Sequence, residues 1–234
     1  MTDWTLVTGA NRGLGLEFVR QSLAAGRHVV ATCRQPGRAT ALNPLAGEHP
    51  GRLKVLPLDI TDARSRAELV RELPLVLGAG DRVERLINNA GVLHSGERFG
   101  HLSAEVLDHS LQSNAVGPLL LTEALVASLA DGARIANISS QLGSIGSTTR
   151  FGTPSYAISK AALNMATVLL ARALAERGIV VVALHPGWVR TDMGGAQADL
   201  DPADAVAGLL ARIDALGADD SGRFLDAAGK TLPW

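Results

Sequence analysis

A tyrosine and a lysine stand four residues apart, at Tyr156 and Lys160, at the start of a predicted long helix. Residues i and i+4 share one face of a helix, so the ammonium group would lie beside the phenol. At about 4 Å and an effective dielectric of about 20, their attraction would favour the phenolate by roughly 4 kcal/mol, or about three pK units. Such a phenol would exchange a proton near neutral pH, as a general acid or base does. The same spacing also fits an ordinary surface pair.

A glycine-rich turn between the first apolar strand, residues 4–7, and a helix indicates a nucleotide site. Its spacing is G-x-x-x-G-x-G, which differs from the G-x-G-x-x-G pattern of dinucleotide-binding proteins. Glycines between a strand and a helix let the backbone approach a pyrophosphate, and the helix start presents N–H groups to it. The residues that we assign to this site are Gly9, Asn11, Arg12, Gly13, Leu14 and Gly15.

Short apolar strands alternate with helices along all 234 residues. The pattern predicts the α/β class, with a Rossmann-type doubly wound parallel sheet and helices on both faces, in a single domain over residues 1–234. The predicted strands are 4–7, 28–33, 54–58, 83–87, 134–138, 179–184 and 223–225, and two of the predicted helices are about 62–73 and 202–216. Pro74 should end or kink the first of these helices. The Gly117-Pro118 pair should kink the helix that carries Asn114.

Polar or small residues follow several predicted strands, at the edge where open parallel sheets bind ligands. They are Asp59 and Ile60 after residues 54–58, Asn88, Asn89, Ala90 and Gly91 after 83–87, Ser139 and Ser140 after 134–138, and Pro186 and Gly187 after 179–184. Asn114, inside an apolar helix, fits a hydrogen-bonding core residue as well as a functional group.

The composition excludes several classes of partner. The 22 basic and 23 acidic residues form no basic run, so we expect a small molecule and neither nucleic acid nor an anionic membrane. The longest apolar run, 179–184, is far shorter than the about 20 residues of a membrane helix. Cys33 is the only cysteine, and the six histidines lack metal-ligand spacing, so neither an intramolecular disulfide nor a metal site is expected. The first residues lack the features of a signal peptide, which predicts a cytoplasmic protein.

Taken together, these motifs resemble the short-chain dehydrogenase/reductase family across essentially the whole chain. Each motif alone is weak, but six in the same order are specific: the glycine turn, Asn88-Asn89-Ala90-Gly91, Asn114, Ser140, the Tyr156 and Lys160 pair, and Pro186-Gly187. Residues 185–193 and 221–234 resemble the carbonyl-reductase-like branch of that family, which includes sniffer and the bacterial C-factor.

The resemblance implies a role for each matching residue. Tyr156 would be the acid or base, Lys160 its pKa-lowering partner and a ribose ligand, Ser140 the carbonyl-orienting hydroxyl, and Asn114 the holder of a proton-relay water. In the cofactor half, Asp59 and Ile60 would contact adenine, Asn88 and Ala90 the ribose region, and Thr191 the nicotinamide carboxamide. The remaining cofactor residues would be Gly91, Pro186, Gly187 and Val189.

Two serines adjoin, and the family's S-x-x-G pattern selects Ser140 with Gly143. Alternation along a strand would point Ser139 to the other side, in a structural role. From Ser140 to Tyr156 there are 16 residues, about three more than is usual in the family. The conformation of residues 144–153 is therefore open.

Two arginines predict NADP(H) in preference to NAD(H). Arg34 follows the second strand, Arg12 lies in the glycine turn, and no Asp or Glu occurs between Glu17 and Glu48. We expect no carboxylate near the arginines that would bind a free 2′-hydroxyl or repel a 2′-phosphate.

The predicted function is an NADP(H)-dependent oxidoreductase that reduces a carbonyl, in an aldehyde, ketone or quinone, to an alcohol. The alternative is a nucleotide-binding signalling or regulatory protein with little or no turnover, because the C-factor branch is linked to cell–cell signalling. The apolar helix faces at 119–129 and 161–174 predict a homodimer, unless both faces simply cover the sheet.

Overall fold

A computed structural model describes residues 2–234, and within this range seven strands form one sheet. Their bounds are β1 Asp3–Thr8, β2 His28–Cys33, β3 Leu53–Pro57, β4 Arg82–Asn88, β5 Leu129–Ile138, β6 Val180–His185 and β7 Phe224–Asp226. The strand order is β3-β2-β1-β4-β5-β6-β7, and every neighbouring pair is parallel. The order reverses between β1 and β4, so the crevice for a ligand lies at their carboxyl ends.

Helices cover both faces of this sheet, which confirms the predicted doubly wound architecture. Their bounds are α1 Gly13–Ala24, α2 Leu42–Glu48, α3 Ala63–Leu77, α4 Ala104–Leu111, α5 Gly117–Leu125, α6 Pro154–Ala173 and α7 Pro202–Asp214. Helices α1, α2 and α7 pack in one apolar cluster, and α3, α5 and α6 pack in a second cluster on the opposite face. No helix in the described range is long and apolar enough to cross a bilayer.

The strands are apolar on both sides because both sheet faces are buried. In β1, Leu6 and Val7 are both fully buried but belong to different clusters. Val7 packs in the cluster of Phe18 from α1, whereas Leu6 packs in the cluster of Leu73 from α3. The alternation of side chains along each strand therefore builds two cores from one continuous apolar run.

Helix α3 does not end at Pro74, because it continues to Leu77. Proline removes one backbone donor and clashes with the preceding turn. Leu73 and Leu77 nevertheless remain buried in the same core cluster, which favours a further helical turn. The short helix α2 was not predicted, since it contains Pro44 and Gly47, two residues that disfavour a helix interior.

Candidate active site

Tyr156 lies in the first turn of α6, with its side chain almost fully buried. Burial raises the pKa of Tyr156 to about 12, although a hydrogen bond with Ser140 acts to lower it. The expectation that Lys160 brings this pKa near neutrality is therefore wrong for this structure. The ammonium Nζ lies 5.5 Å from the centre of the phenol ring, and the loss of solvation of the phenolate outweighs the favourable contact. At neutral pH Tyr156 is a neutral phenol that can donate a proton.

Lys160 lies one turn further along α6 and is 4% exposed. Its Nζ donates a 2.8 Å hydrogen bond to the carbonyl oxygen of Ile138, at the end of β5. Burial lowers the pKa of Lys160 to about 8, since the charged form loses its solvation. The side chain is therefore still mostly an ammonium at pH 7, beside the phenol ring.

The two serines after β5 point in different directions, as strand alternation predicts. Ser139 is buried, and its Oγ donates to Oδ1 of Asn164 at 2.6 Å, which makes it a link between the sheet and α6. Ser140 instead faces Tyr156. Gly143 completes the motif, because a Cβ there would lie 2.7 Å from the carbonyl carbon of Lys160, too close for any other residue. The turn after Ser140 can thus pack directly on α6.

Asn114 lies in a π-helical turn, Gln112–Val116, between α4 and α5. Such turns are rare and frequent at functional sites. Oδ1 of Asn114 accepts from the backbone N–H of Val92 at 2.7 Å, and Nδ2 donates to the carbonyl of Val92 at 2.8 Å and to Oγ of Ser159 at 2.9 Å. Both amide hydrogens are used, so the side chain fixes the segment after β4 against α6. The proton-relay role stays a prediction.

The glycine turn forms a cradle that other side chains would fill. A Cβ at Gly15 would lie 2.2 Å from the carbonyl oxygen of Gly9 and 2.6 Å from Nδ2 of Asn89. Gly9 and Gly13 have φ values of +65° and +54°, which favour glycine. Within the described residues no side chain caps the start of α1, and its first turn holds no acidic residue. Its N–H groups are therefore available to an anion.

Asn89 was quoted in the sequence motif but not assigned to the site, and it holds this cradle in place. Its Nδ2 donates to the carbonyls of Thr8 at 3.0 Å and of Gly9 at 3.2 Å. The Thr8 hydroxyl accepts from the backbone N–H groups of Asn89 and Ala90, both at 3.0 Å. These contacts join the ends of β1 and β4 at the switch point. A sequence signal for the role of Thr8 and Asn89 exists, because each lies at the carboxyl end of a strand, and β1 and β4 are neighbours in this type of sheet.

Asn88 points away from the ligand edge. Its buried side chain donates to Oγ1 of Thr122 at 3.1 Å and to Oδ1 of Asn137 at 2.8 Å, which lie on α5 and β5. The predicted ribose contact of Asn88 is thus possible only through its main chain. Gly91, by contrast, lies at the site, because a Cβ there would be 3.0 Å from Oδ1 of Asn114 and 3.7 Å from Nζ of Lys160.

Arg34 and Arg12 are both exposed. Contrary to our expectation, each of them has a carboxylate nearby. Arg12 donates to the carboxylate of Asp192 at 3.0 Å, an ion pair between residues 180 positions apart. Burial acts to raise the pKa of Asp59, but hydrogen bonds from Thr61 and the charges of Arg34 and His109 lower it. The prediction that no carboxylate lies near these arginines is therefore wrong. Asp59 and Asp192 are distant from them in the sequence but close in the folded protein.

The side chain of Asp59 forms hydrogen bonds with a residue close to it in the sequence. Its carboxylate accepts from the N–H of Thr61 at 3.0 Å and from the hydroxyl of Thr61 at 2.7 Å. Ile60 is buried, in the cluster below α5, and its carbonyl oxygen accepts from Arg66 at 2.8 Å. The adenine contacts predicted for Asp59 and Ile60 stay predictions.

The segment between β6 and α7 folds back over the glycine turn. Val189 pairs with Leu200, and the N–H of Arg190 donates to the carbonyl of Leu200 at 2.9 Å. This closes a short loop that places Thr191 against the turn, where a Cβ at Gly13 would lie 3.7 Å from its methyl group. At the start of the segment, Gly187 has a φ of +85°. Thr191 is therefore placed next to the glycine cradle.

Residues 144–153, whose conformation the sequence left open, are held by hydrogen bonds within the segment and to the last residues of the chain. The hydroxyl of Ser144 donates to that of Ser147 at 2.9 Å, and Thr148 donates to the carbonyl of Ser144 at 2.7 Å. The N–H of Gly146 donates to a carbonyl oxygen of Trp234 at 2.7 Å, and the Trp234 ring stacks on Phe224. The segment after Ser140 is thus attached to the last residues of the chain.

Comparison with known families decides what this arrangement is. The family model described as short chain dehydrogenase matches residues 3–201, which include the glycine turn, Ser140 and the Tyr156 and Lys160 pair. This chain belongs to the short-chain dehydrogenase family. It is thus an oxidoreductase family member, and the resemblance stated from the sequence is confirmed.

Individual relatives of this short-chain dehydrogenase fall in the expected branch. The C-signal of Myxococcus xanthus is 44% identical over 154 residues, which cover 65% of this chain and 93% of that protein. The NADPH-bound carbonyl reductase from chicken fatty liver is 39% identical, with a TM-score of 0.94 over 100% of this chain and 99% of the other. The carbonyl reductase Sniffer of D. melanogaster is 34% identical, with a TM-score of 0.95 over the full length of both chains.

Proposed function

We propose that this short-chain dehydrogenase reduces an aldehyde, ketone or quinone to an alcohol with NADPH. The observation that carries the proposal is the Ser140 and Tyr156 hydroxyl pair, backed by the ammonium of Lys160, at the same sheet edge as the glycine cradle. The structural likeness to two carbonyl reductases, one of them NADPH-bound, supports the same reaction.

The cradle fits a dinucleotide. The close approach of Gly15 to Gly9 and the uncapped start of α1 suit a pyrophosphate, and Arg34 and Arg12 suit a 2′-phosphate. The cofactor would supply the hydride that adds to the carbonyl carbon. Thr191, which lies against Gly13, is the residue that we assign to the nicotinamide carboxamide, and Lys160 would hold the adjoining ribose.

Tyr156 and Ser140 would act on the carbonyl oxygen. Both hydroxyls donate to that oxygen, and they stabilise the charge that develops on it as the carbon is reduced. An alkoxide is far more basic than a phenolate whose pKa is about 12, so proton transfer from Tyr156 to the product oxygen is downhill. The Lys160 ammonium, 5.5 Å from the ring, then stabilises the phenolate that remains. Asn114 would hold the water through which a replacement proton reaches Tyr156.

The experiment is turnover of NADPH against a panel of aldehydes, ketones and quinones. We expect consumption of NADPH with several of them, because shallow apolar contacts separate similar substrates by only about 1–3 kcal/mol. The 44% identity to C-signal supports the second candidate, a nucleotide-binding regulatory protein. Such a protein would bind NADPH without consuming it, and that outcome would refute the enzymatic proposal.

We also propose a homodimer. Helices α5 and α6 bury Leu121 and Leu170 against the sheet, so covering the sheet accounts for one face of each helix. Their outer faces leave apolar side chains exposed, namely Leu120, Ile158, Met165 and Leu169. Exposed apolar side chains grouped in this way are typical of an interface. A monomeric mass in light scattering at micromolar concentration would contradict this proposal.

A further inference from the structure

The helix that carries Tyr156 begins without a cap from its own sequence. Thr153 stands at the N-cap in a left-handed conformation, with φ 41° and ψ 55°, and its side chain makes no capping hydrogen bond within the described residues. Pro154 follows and has no N–H to donate. The first donor of the helix is therefore the N–H of Ser155, immediately before Tyr156.

A carboxylate from a distant part of the chain takes this position. Oε2 of Glu97, in the segment between β4 and α4, accepts from the N–H of Ser155 at 3.3 Å and from its hydroxyl at 2.8 Å. An anion at a helix start is favoured both by the free N–H groups and by the helix dipole. Glu97 thus caps α6 from 58 residues away in sequence.

A buried chain of hydroxyls extends this contact to α4. Ser110 and Ser155 are fully buried, and the Ser110 hydroxyl donates to that of Ser155 at 3.1 Å. The Ser155 hydroxyl donates in turn to Oε2 of Glu97. Oε1 of Glu97 is buried without a hydrogen-bond partner among residues 2–234. A buried carboxylate oxygen without a hydrogen bond is energetically unfavourable. The two hydrogen bonds from Ser155 to Oε2 must therefore offset this cost.

The contact between Glu97 and Ser155 joins two sides of the candidate site. The segment 92–102 follows the cofactor edge of β4, where Asn114 holds Val92 by two hydrogen bonds. Glu97 holds the middle of the same segment on the start of α6. Two residues further on, Phe99 packs edge-on against Phe151, with ring centres 5.7 Å apart.

We propose that Glu97 is a positioning residue for the reaction. By capping α6, it fixes Tyr156 relative to the segment 92–102, so that the phenol meets the carbonyl substrate in one arrangement. The inference rests on the proposed carbonyl reduction. Glu97 acts through Ser155 and the helix and does not touch the reacting atoms.

The test compares Glu97→Ala with Glu97→Gln. The alanine variant should lower kcat/KM for an aromatic ketone about tenfold or more, with a higher KM and an unchanged Kd for NADPH, because a small misplacement of reacting groups is costly. Glutamine should restore kcat/KM, since its side-chain oxygen can accept both hydrogen bonds from Ser155. Asp62→Ala is the matched control: Asp62 caps α3 through the N–H of Ser65 at 2.8 Å, and its loss should lower stability without changing kcat/KM.

Hydrogen exchange supplies a readout that needs no turnover. Glu97→Ala should speed exchange of the Ser155 amide and of residues 92–102, whereas Asp62→Ala should not. Faster exchange together with a wild type that reduces no carbonyl would show that Glu97 holds α6 and the segment 92–102 together, but it would refute the proposed function and, with it, the positioning role in that reaction. Unchanged exchange and unchanged kcat/KM in Glu97→Ala, or a glutamine variant as impaired as the alanine variant, would overturn the inference. If the alanine variant does not fold, Ser155→Ala removes the 2.8 Å bond to Glu97 together with the 3.1 Å bond from Ser110, and Ser110→Ala removes only the latter. A KM for the ketone that is unchanged in Ser155→Ala, or raised equally in Ser110→Ala, would overturn the inference.

Discussion

Replacing Lys160 with methionine should change how the stability of the protein depends on pH. Lys160 is 4% exposed, and burial lowers its pKa from 10.5 to about 8. Between these two values the unfolded chain binds more protons than the folded chain, so this residue makes stability rise as the pH rises. Below about pH 8 both states are protonated, and the folded protein carries the whole cost of the buried charge. One pK unit corresponds to about 1.4 kcal/mol, which gives a cost of roughly 3 kcal/mol at pH 7.

Methionine has a similar length and no charge, so Lys160→Met removes this cost. The carbonyl of Ile138 loses its donor, which destabilises the variant by about 1–3 kcal/mol at every pH. The diagnostic quantity is therefore the difference in unfolding free energy between the variant and the wild type. It should shift by roughly 3 kcal/mol in favour of the wild type between pH 7 and pH 10.5.

Urea unfolding at pH 7, 8, 9 and 10.5 measures that difference. Lys230→Met is the control for the loss of a lysine, because Lys230 is exposed and bears no burial cost. A difference for Lys160→Met that stays constant across this range would refute the view that Lys160 is held as a costly buried ammonium. The variant should also lose carbonyl reduction at every pH.

The glycine cradle and the two arginines beside it give three further predictions. Arg34→Asp should invert the cofactor preference from NADPH to NADH, since it replaces a charge-assisted hydrogen bond worth about 1.5–3 kcal/mol with a repulsion, and a wild type that prefers NADH in kcat/KM would overturn the assignment. Asp192→Asn should tighten NADPH binding, because it frees Arg12 from its 3.0 Å ion pair. Gly15→Ala should abolish NADPH binding in calorimetry because its Cβ would lie 2.2 Å from a backbone oxygen, whereas Gly47→Ala, in α2 with no described atom within 4 Å of a Cβ, should bind normally.

The sequence predicted those features that depend on local pattern. Strand β2, His28–Cys33, has the predicted bounds, and the other strands differ from prediction mainly at their ends. The glycine turn, the i and i+4 relation of Tyr156 to Lys160, and the opposite directions of Ser139 and Ser140 follow from short-range geometry. Geometry of this kind can be predicted from the sequence because it does not depend on any tertiary contact.

The features that the sequence did not predict depend on contacts between distant residues. Burial controls the pKa of Tyr156, and burial is a property of the packed protein. The Arg12 and Asp192 ion pair joins residues 180 positions apart, and the Glu97 cap joins residues 58 positions apart. No spacing rule predicts either contact, because neither lies within one helix, strand or turn.

In the proposed reaction, this short-chain dehydrogenase transfers a hydride to a carbonyl carbon while Tyr156 donates the proton. Single-turnover reaction of NADPH that carries deuterium at both C4 positions with an aromatic ketone, in the wild type and in Tyr156→Phe, tests this proposal most directly. The wild type should give an alcohol that carries deuterium on the former carbonyl carbon. Tyr156→Phe should form that product about 10²–10⁴-fold more slowly, with a nearly unchanged Kd for NADPH. A phenylalanine variant that forms the deuterated alcohol at the wild-type rate would contradict the role of Tyr156.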